Sequence, residues 1–206
     1  MRLGVFGGTF DPIHYGHLLL AERCREQCRL DEVWFLPALS PPHKTDDAVT
    51  PADKRLEMAR LAIAGHPHFI ASALEIERGG VSYTWRTLEQ IHRQEPQAEL
   101  FFLLGADSLA DFPQWREPAK ICELATPIVY RRRGHPEPDF QPLSSWVSPR
   151  RFQQIVDSQA VDLPLIELSS TEIREAVAAG KSVRYQLPRA VEKYIETQGL
   201  YRRSGT

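Results

Sequence analysis

The sequence predicts a doubly wound α/β fold, a mostly parallel sheet with helices on both faces. It is expected to form one domain over residues 1–206, closed by C-terminal helices. Three observations carry this expectation. Apolar, β-rich segments alternate with stretches of helical periodicity along the chain, and such alternation requires crossover connections between parallel strands. Leu100-Phe101-Phe102-Leu103-Leu104 has no polar alternation, as befits a central strand covered on both faces. Finally, 206 residues with 42% apolar content suffice to bury one full core.

Taken in order, a strand over 2–6 runs into Gly7-Gly8 and a helix over 17–30. A second strand, 32–36, leads to the polar loop Pro41-Pro42-His43-Lys44-Thr45-Asp46-Asp47 and then to a helix over 52–64. A strand over 69–76 and a helix over 83–93 follow, before the central strand 100–104 and a helix over 114–124. After the strand 127–130, Gly134, Pro136, Pro138, Pro142 and Pro149 crowd residues 134–149 with too many breakers for a regular element. That stretch reads equally as a lid or as a surface excursion. A strand over 161–168 then meets Ser169 and Glu172, whose spacing is that of a capping box opening a helix over 171–179. Pro188, with Val191, Tyr194 and Ile195 on one face, opens a last helix that packs back on the body.

The charge balance narrows the function. With 25 Lys and Arg against 27 Asp and Glu, the net charge is −2, which is no footprint of a dedicated nucleic-acid binder. The apolar run 100–104 falls far short of the ~20 residues that cross a bilayer, so no membrane partner is expected. The first residues lack a secretory apolar region, and Cys24, Cys28 and Cys122 make no framework of paired bridges. A soluble, reducing, cytoplasmic setting is the expectation.

The chemistry concentrates in the first βα turn, Gly7-Gly8-Thr9-Phe10-Asp11-Pro12-Ile13-His14-Tyr15-Gly16-His17. It follows a strand and opens a helix, so its amides and the helix N-terminus face a phosphate naturally. Neither standard phosphate fingerprint fits. Gly4, Gly7 and Gly8 do not make G-x-G-x-x-G, and Gly180-Lys181-Ser182 follows a helix with Glu175 where a P-loop needs glycine. The distinctive feature is His14-x-Gly16-His17. Two imidazoles three apart share one face of the first turn, and the glycine between them allows close backbone approach. Imidazole donors beside a helix mouth suit charge developing on phosphoryl oxygens, although one histidine capping the helix while the other packs is the plainer alternative.

A second helix mouth lies far downstream at Ser169-Ser170-Thr171-Glu172-Ile173-Arg174. Arg174 is the odd residue, because a cation in the first helical turn opposes the helix dipole. An anion placed at that N-terminus reconciles the two.

These residues resemble a known family. Gly8-Thr9-Phe10-Asp11-Pro12-x-His14-x-Gly16-His17 with Ser169-Ser170-Thr171-x-Ile173-Arg174 is similar to the nucleotidyltransferase superfamily of adenylyl- and cytidylyltransferases. Within it, Pro41-Pro42-His43-Lys44, Gly80-Val81-Ser82-Tyr83-Thr84, Thr87-Leu88, Gly105-Ala106-Asp107-Ser108-Leu109, Trp115 and the Pro188 to Ile195 ending resemble the bacterial nicotinate-mononucleotide adenylyltransferases. One departure exists: Arg132-Arg133-Gly134 stands where members often read Arg-Pro-Gly, on the adenine side.

The resemblance implies a Rossmann-like fold and a reaction between ATP and nicotinate mononucleotide that yields nicotinate adenine dinucleotide and pyrophosphate. It implies His14 and His17 as catalytic residues. Gly7, Gly8, Thr9, Phe10, Ser170, Thr171 and Arg174 fall on ATP, and Lys44, Thr84, Trp85, Asp107 and Trp115 on the mononucleotide. Mg2+ is expected to arrive on the ATP phosphates rather than in a protein carboxylate cage. Taken singly, Trp115 reads as core, Tyr83-Thr84 as a helix cap, Lys44 as a solvated charge and Asp107 as the N-cap of the next helix. His66-Pro67-His68, with no carboxylate or thiol in the nearby sequence, and the Cys24/Cys28 pair read as structural. Competing readings are another member of the superfamily such as a phosphopantetheine adenylyltransferase, a non-catalytic nucleotide sensor, and a fragment related to class I aminoacyl-tRNA synthetases.

Overall fold

The computed structural model describes residues 1–40, 49–132, 139–157, 161–163 and 168–202. Six strands form one parallel sheet: β1 (Arg2–Gly8), β2 (Glu32–Pro37), β3 (Phe69–Ala71), β4 (Glu99–Gly105), β5 (Thr126–Arg132) and β6 (Val161–Leu163). Their spatial order is β3-β2-β1-β4-β5-β6. The order reverses between β1 and β4, and open α/β sheets bind ligands at the carboxyl ends of the strands beside such a reversal. Gly7 and Gly8 end β1 and Gly105 ends β4, so backbone without side-chain bulk faces that crevice from both strands.

Helices cover both faces. On one side α1 (Tyr15–Gln27), α2 (Ala52–Ile63), α8 (Ser170–Ala178) and α9 (Arg189–Gln198) set Leu20, Met58, Ile173 and Val191 against Phe6, Phe35, Phe101 and Leu103. On the other, α4 (Thr84–Gln94), α6 (Pro118–Leu124) and α7 (Pro149–Asp157) set Leu88, Ile121 and Ile155 against Val5, Leu36, Phe102 and Leu104. Successive β4 side chains thus enter opposite cores, which is why that strand is apolar throughout. Burying each such side chain contributes about 1.5–3 kcal/mol.

Several boundaries differ from expectation. β3 stops at Ala71, and α3 (Leu74–Arg78) occupies what reads as the rest of a strand. Ser72 Oγ accepts the Leu74 amide at 3.3 Å, and Glu75 is buried against Thr87, whose hydroxyl donates to Glu75 Oε1 at 2.5 Å. Tertiary partners therefore decide that segment. α1 begins two residues early, because the Tyr15 amide finds Gln186 O at 3.1 Å. It also ends early, at Gln27, because Arg29 turns left-handed with φ 51°. A short helix, α5 (Ala106–Asp111), and a 3-10 turn (Phe112–Gln114) fill the connection after β4. α6 starts only at Pro118, after Glu117 in the left-handed region.

Residues 134–149 are not wholly irregular. A 3-10 turn spans Gln141–Ser145, and Pro149 is the first residue of α7. Proline suits that position, where no intrahelical N–H bond is lost. Gly180, with φ 68°, closes α8 at its C-terminal end, so Gly180-Lys181-Ser182 is no phosphate loop.

Candidate active site

The turn after β1 is built around two close approaches. A Cβ on Gly8 would sit 2.9 Å from Phe10 Cζ, so the Phe10 ring lies directly on the glycine. Phe10 itself takes φ 50°, and the Asp11–Pro12 peptide is cis. A Cβ on Gly16 would lie 3.0 Å from the His14 ring, so a larger residue there would require the ring to give way. His14 caps α1, and its amide donates to Nδ1 of His17 at 3.2 Å. The two rings lie 3.8 Å apart at 32°, with Phe10 edge-on to His17 at 5.1 Å.

This geometry fixes the state of His17. Burial holds its pKa well below the ordinary imidazole value, and the neighbouring His14 lowers it further. A neutral ring that accepts at Nδ1 carries its proton on Nε2, so His17 offers an N–H donor without a full charge. Capping engages one ring nitrogen of His17 and leaves the other for a further partner.

α8 brings the second motif to the same turn. Ser169 Oγ accepts the Glu172 amide at 3.5 Å, realising the expected cap. Ser170 Oγ donates to Pro12 O at 2.9 Å. Arg174 donates from Nη1 to Asp11 O at 2.8 Å and from Nη2 to Thr171 Oγ1 at 3.3 Å. Thr9, Phe10, His14, His17, Ser170, Thr171 and Arg174 therefore share one locality, beside Gly7 and Gly8.

Three residues in this locality have no role assigned from the sequence. Arg55 is 1% exposed, and its guanidinium donates to Thr50 O, Thr9 O and Ala38 O, each at 2.7 Å. Asp11, also buried, accepts from the Tyr201 hydroxyl at 2.6 Å and from the Thr50 amide at 3.2 Å. Burial lowers the Arg55 pKa against the pull of Asp11; burial, then the Asp11 charge, push the Tyr201 phenol up. The available signal for Arg55 is its place with Ala59 and Ile63 on the apolar stripe of α2, where a cation is out of keeping.

A cavity of about 420 Å³ lies between the start of α4 and the chain entering α6, its lining including Ser82, Tyr83, Thr84, Trp115, Arg116 and Glu117. Trp115 is half-buried, packed on Phe112 and Phe102 with its ring 5.4 and 5.8 Å from theirs. Tyr83 is the N-cap of α4, and the amides of Thr84 and Trp85 begin the helix with no acceptor among the described residues. The Trp85 ring is absent from this lining. It packs on the core, with Lys120 Nζ 4.5 Å from its centroid, so the ring turns away from the cavity. Arg116 and Glu117 are lining residues that sequence reasoning overlooks.

Other expected positions resolve differently. Lys44 lies outside the described residues, as do the side chains of Asp107 and Arg131–Arg133. Gly105, not Asp107, caps α5. His66 does have a carboxylate beside it, Glu22 Oε2 at 3.2 Å, and its ring stacks on Phe69 at 3.7 Å. Sequence distance hides that pairing. Cys24, Cys28 and Cys122 are free thiols, Cys24 in the core and Cys28 at the end of α1. Among the described residues no group of three His, Cys, Asp or Glu is arranged around a common metal position. Nor does any described helix have the length and apolarity to cross a membrane.

A parallel sheet reversing between β1 and β4, with paired histidines and an arginine-bearing helix mouth at the reversal, fits the nucleotidyltransferase class that the motifs resemble. The family described as cytidylyltransferase-like matches residues 5–176. The chain is 47% identical over 201 residues to a "Probable nicotinate-nucleotide adenylyltransferase" of Thermomicrobium roseum, covering 98% of this chain and 92% of that one. It is 46% identical over 202 residues to a protein of the same name from Thermus thermophilus, covering 98% and 100%. The chain belongs to the nicotinate-nucleotide adenylyltransferase family within the cytidylyltransferase-like proteins. A solved structure of Plasmodium falciparum nicotinic acid mononucleotide adenylyltransferase complexed with NaAD shares its fold, with a TM-score of 0.72, 19% identity and 97% of each chain covered.

Proposed function

We infer that this protein transfers the adenylyl group of ATP to nicotinate mononucleotide, releasing pyrophosphate and forming nicotinate adenine dinucleotide. Full-length similarity to relatives of that name supports the reading. The observation that carries it is the joining of the His14/His17 turn to the Arg174 helix by direct hydrogen bonds, with a carboxylate-ready cavity at the start of α4. The 206 residues act as one domain in this reading, and the free cysteines support a cytoplasmic setting.

The nucleophile is the 5′-phosphate of the mononucleotide. A phosphate monoester has its second pKa at about 6, so it is mostly dianionic at neutral pH and needs no general base. Its oxygen attacks the α-phosphorus of ATP as the bond to the β-phosphate oxygen breaks, and pyrophosphate leaves with that electron pair. The protein must hold two polyanions in line and meet the charge spreading over the transferring group. His17 Nε2–H, His14 and the amides of Gly8 and Thr9 serve the α-phosphoryl region, with Gly7 and Phe10 shaping the turn. Arg174 has five N–H donors and spends two on the protein, which leaves the others for the β/γ-phosphates beside Ser170 and Thr171.

On the pyridine side, Trp115 stacks on the ring and the Thr84 and Trp85 amides receive the carboxylate. Lys44 pairs the mononucleotide phosphate, and Asp107 accepts ribose hydroxyls. Transfer from ATP ordinarily uses a divalent cation, and we assign Mg2+ carried by the triphosphate. Asp11, the carboxylate within the turn, has both oxygens engaged by Tyr201 and Thr50, so it does not fit as a ligand. When bound, the cation neutralises phosphate charge.

The test is pyrophosphate release with ATP and either nicotinate or nicotinamide mononucleotide. A carboxamide turns a donor toward the α4 amides, and one unmatched buried donor costs about 1–3 kcal/mol. Nicotinate should lead by tenfold to a hundredfold, roughly, in kcat/KM. No turnover with either mononucleotide overturns the reading; equal values overturn the carboxylate assignment.

A further inference from the structure

The two halves of the proposed site are joined through a side chain whose hydrogen bonds all go to backbone carbonyls. Arg55 is fully buried on α2, yet its three nitrogens reach carbonyls of three separate segments. Thr9 O belongs to the phosphate-binding turn, Ala38 O to the chain leaving β2, and Thr50 O to the lead-in of α2. The segment leaving β2 continues to the pyridine cavity. Ser82 Oγ accepts the amides of Leu39 and Ser40 at 2.9 and 3.3 Å, and the Ser82 amide donates to Ser40 O at 3.0 Å. Ser82 is itself a wall of that cavity. A continuous chain of bonds thus runs from Thr9, through Arg55 and Ala38–Ser40, to Ser82.

We propose that Arg55 is a positioning residue that sets the separation between the ATP half-site and the pyridine half-site. The inference rests on the adenylyl-transfer reading above. In-line transfer between two bound nucleotides needs the attacking and accepting atoms registered to a fraction of an ångström, and a misplacement of about 1 Å costs roughly a hundredfold in rate. The residues proposed for each nucleotide lie within its own half-site, so either nucleotide should bind alone whatever their separation. Only chemistry and a ligand spanning both halves read the distance. The planar guanidinium fork is the group that can serve three diverging carbonyls at once; an ammonium offers its donors from one point.

The experiment compares wild type with Arg55→Lys, which keeps the charge and loses the fork. Titration calorimetry with a nonreactive ATP analogue and with nicotinate mononucleotide, each alone, should show Kd values within about threefold of wild type. The spanning product, nicotinate adenine dinucleotide, should bind at least about tenfold more weakly, because mismatched geometry forfeits simultaneous engagement. kcat should fall about a hundredfold. A purely structural arginine lowers the melting temperature but moves all three affinities together, and that pattern overturns the proposal. If Arg55→Lys does not fold, Ser82→Ala, which frees the Leu39 and Ser40 amides at the far end of the chain of bonds, carries the test. The dinucleotide must again lose more than the ATP analogue and the mononucleotide combined, and proportionate losses overturn the proposal. A wild-type protein that neither forms nor binds the dinucleotide refutes the functional reading itself, whereas an active wild type with unaltered variants refutes only the role of Arg55.

Discussion

In the proposed mechanism His17 has two jobs that a pair of substitutions can pull apart. Its Nδ1 accepts the amide of His14 at the mouth of α1, and its Nε2–H is left for the phosphoryl group. His17→Ala removes both. Loss of a hydrogen bond at a helix mouth costs about 1 kcal/mol net, which lowers Tm by about 2–4 °C in a chain of this size. Loss of a donor aimed at transition-state charge lowers kcat by about 100–1,000-fold while ATP affinity changes little. His17→Gln separates the terms, because glutamine at the third helical position reaches back to the cap amide as in a capping box. It should recover most of the Tm and none of the rate. The assay is pyrophosphate release under saturating substrates, beside thermal melts of the same preparations. Recovery of kcat together with Tm in His17→Gln would show that the ring acts only through local structure.

Arg174→Ala should weaken ATP by about 2 kcal/mol, or roughly thirtyfold in Kd, since a charge-assisted contact to phosphate is lost; a lower Tm with unchanged ATP binding would return Arg174 to a purely structural role. Stability should fall as pH drops from about 6.5, by at most about 1.4 kcal/mol per unit for this group, because the unfolded chain protonates His17 where the folded chain resists. Above that range His17 adds no pH dependence, and urea melts of His17→Gln should show a flatter acid limb; an unchanged limb contradicts the lowered pKa. Trp115→Ala should weaken nicotinate and nicotinamide mononucleotides alike, by about tenfold each, since stacking reads the ring and not its substituent. A change concentrated in their ratio would reassign Trp115 to carboxylate recognition.

Features fixed by local pattern were legible in the sequence, and those fixed by distant partners were not. Strands β1, β2, β4 and β5 follow from apolar runs, and the α8 cap follows from Ser169 and Glu172 at capping-box spacing. The segment after β3 reads as strand because Ile76 and Leu74 alternate, yet buried Glu75 and its partner Thr87 make it helical. Pro149 reads as a breaker among neighbouring prolines although it opens α7. In the site, His14, His17 and Arg174 announce themselves because their residue types oppose the background: paired imidazoles at a helix mouth, a cation in a first turn. Asp11 and Tyr201 do not, since their partnership spans nearly the whole chain. Trp85 shows the remaining weakness of sequence reading. Its position at the start of α4 follows from the motif, but that its ring turns away from the cavity depends on what α6 places against it.

A chain with a net charge of −2 can hold two polyanions because the charges around the turn are assigned locally. The carboxylate of Asp11 lies next to the residues proposed to bind phosphate, where an open anion would repel ATP. Its oxygens instead face Tyr201 and Thr50, and the positive charge of Arg55 lies close enough to feel it. Burying both charges without a direct hydrogen bond between them is tolerable because each is satisfied by neutral groups, Arg55 by three carbonyls and Asp11 by a hydroxyl and an amide. The arginine's bonds fix the backbone that presents Thr9, and the carboxylate is screened by the same cation. What reaches the crevice is then the unneutralised remainder: the helix mouths of α1 and α8, the His17 N–H and the spare donors of Arg174. Local pairing, more than overall composition, thus makes the carboxyl end of this sheet attractive to phosphate.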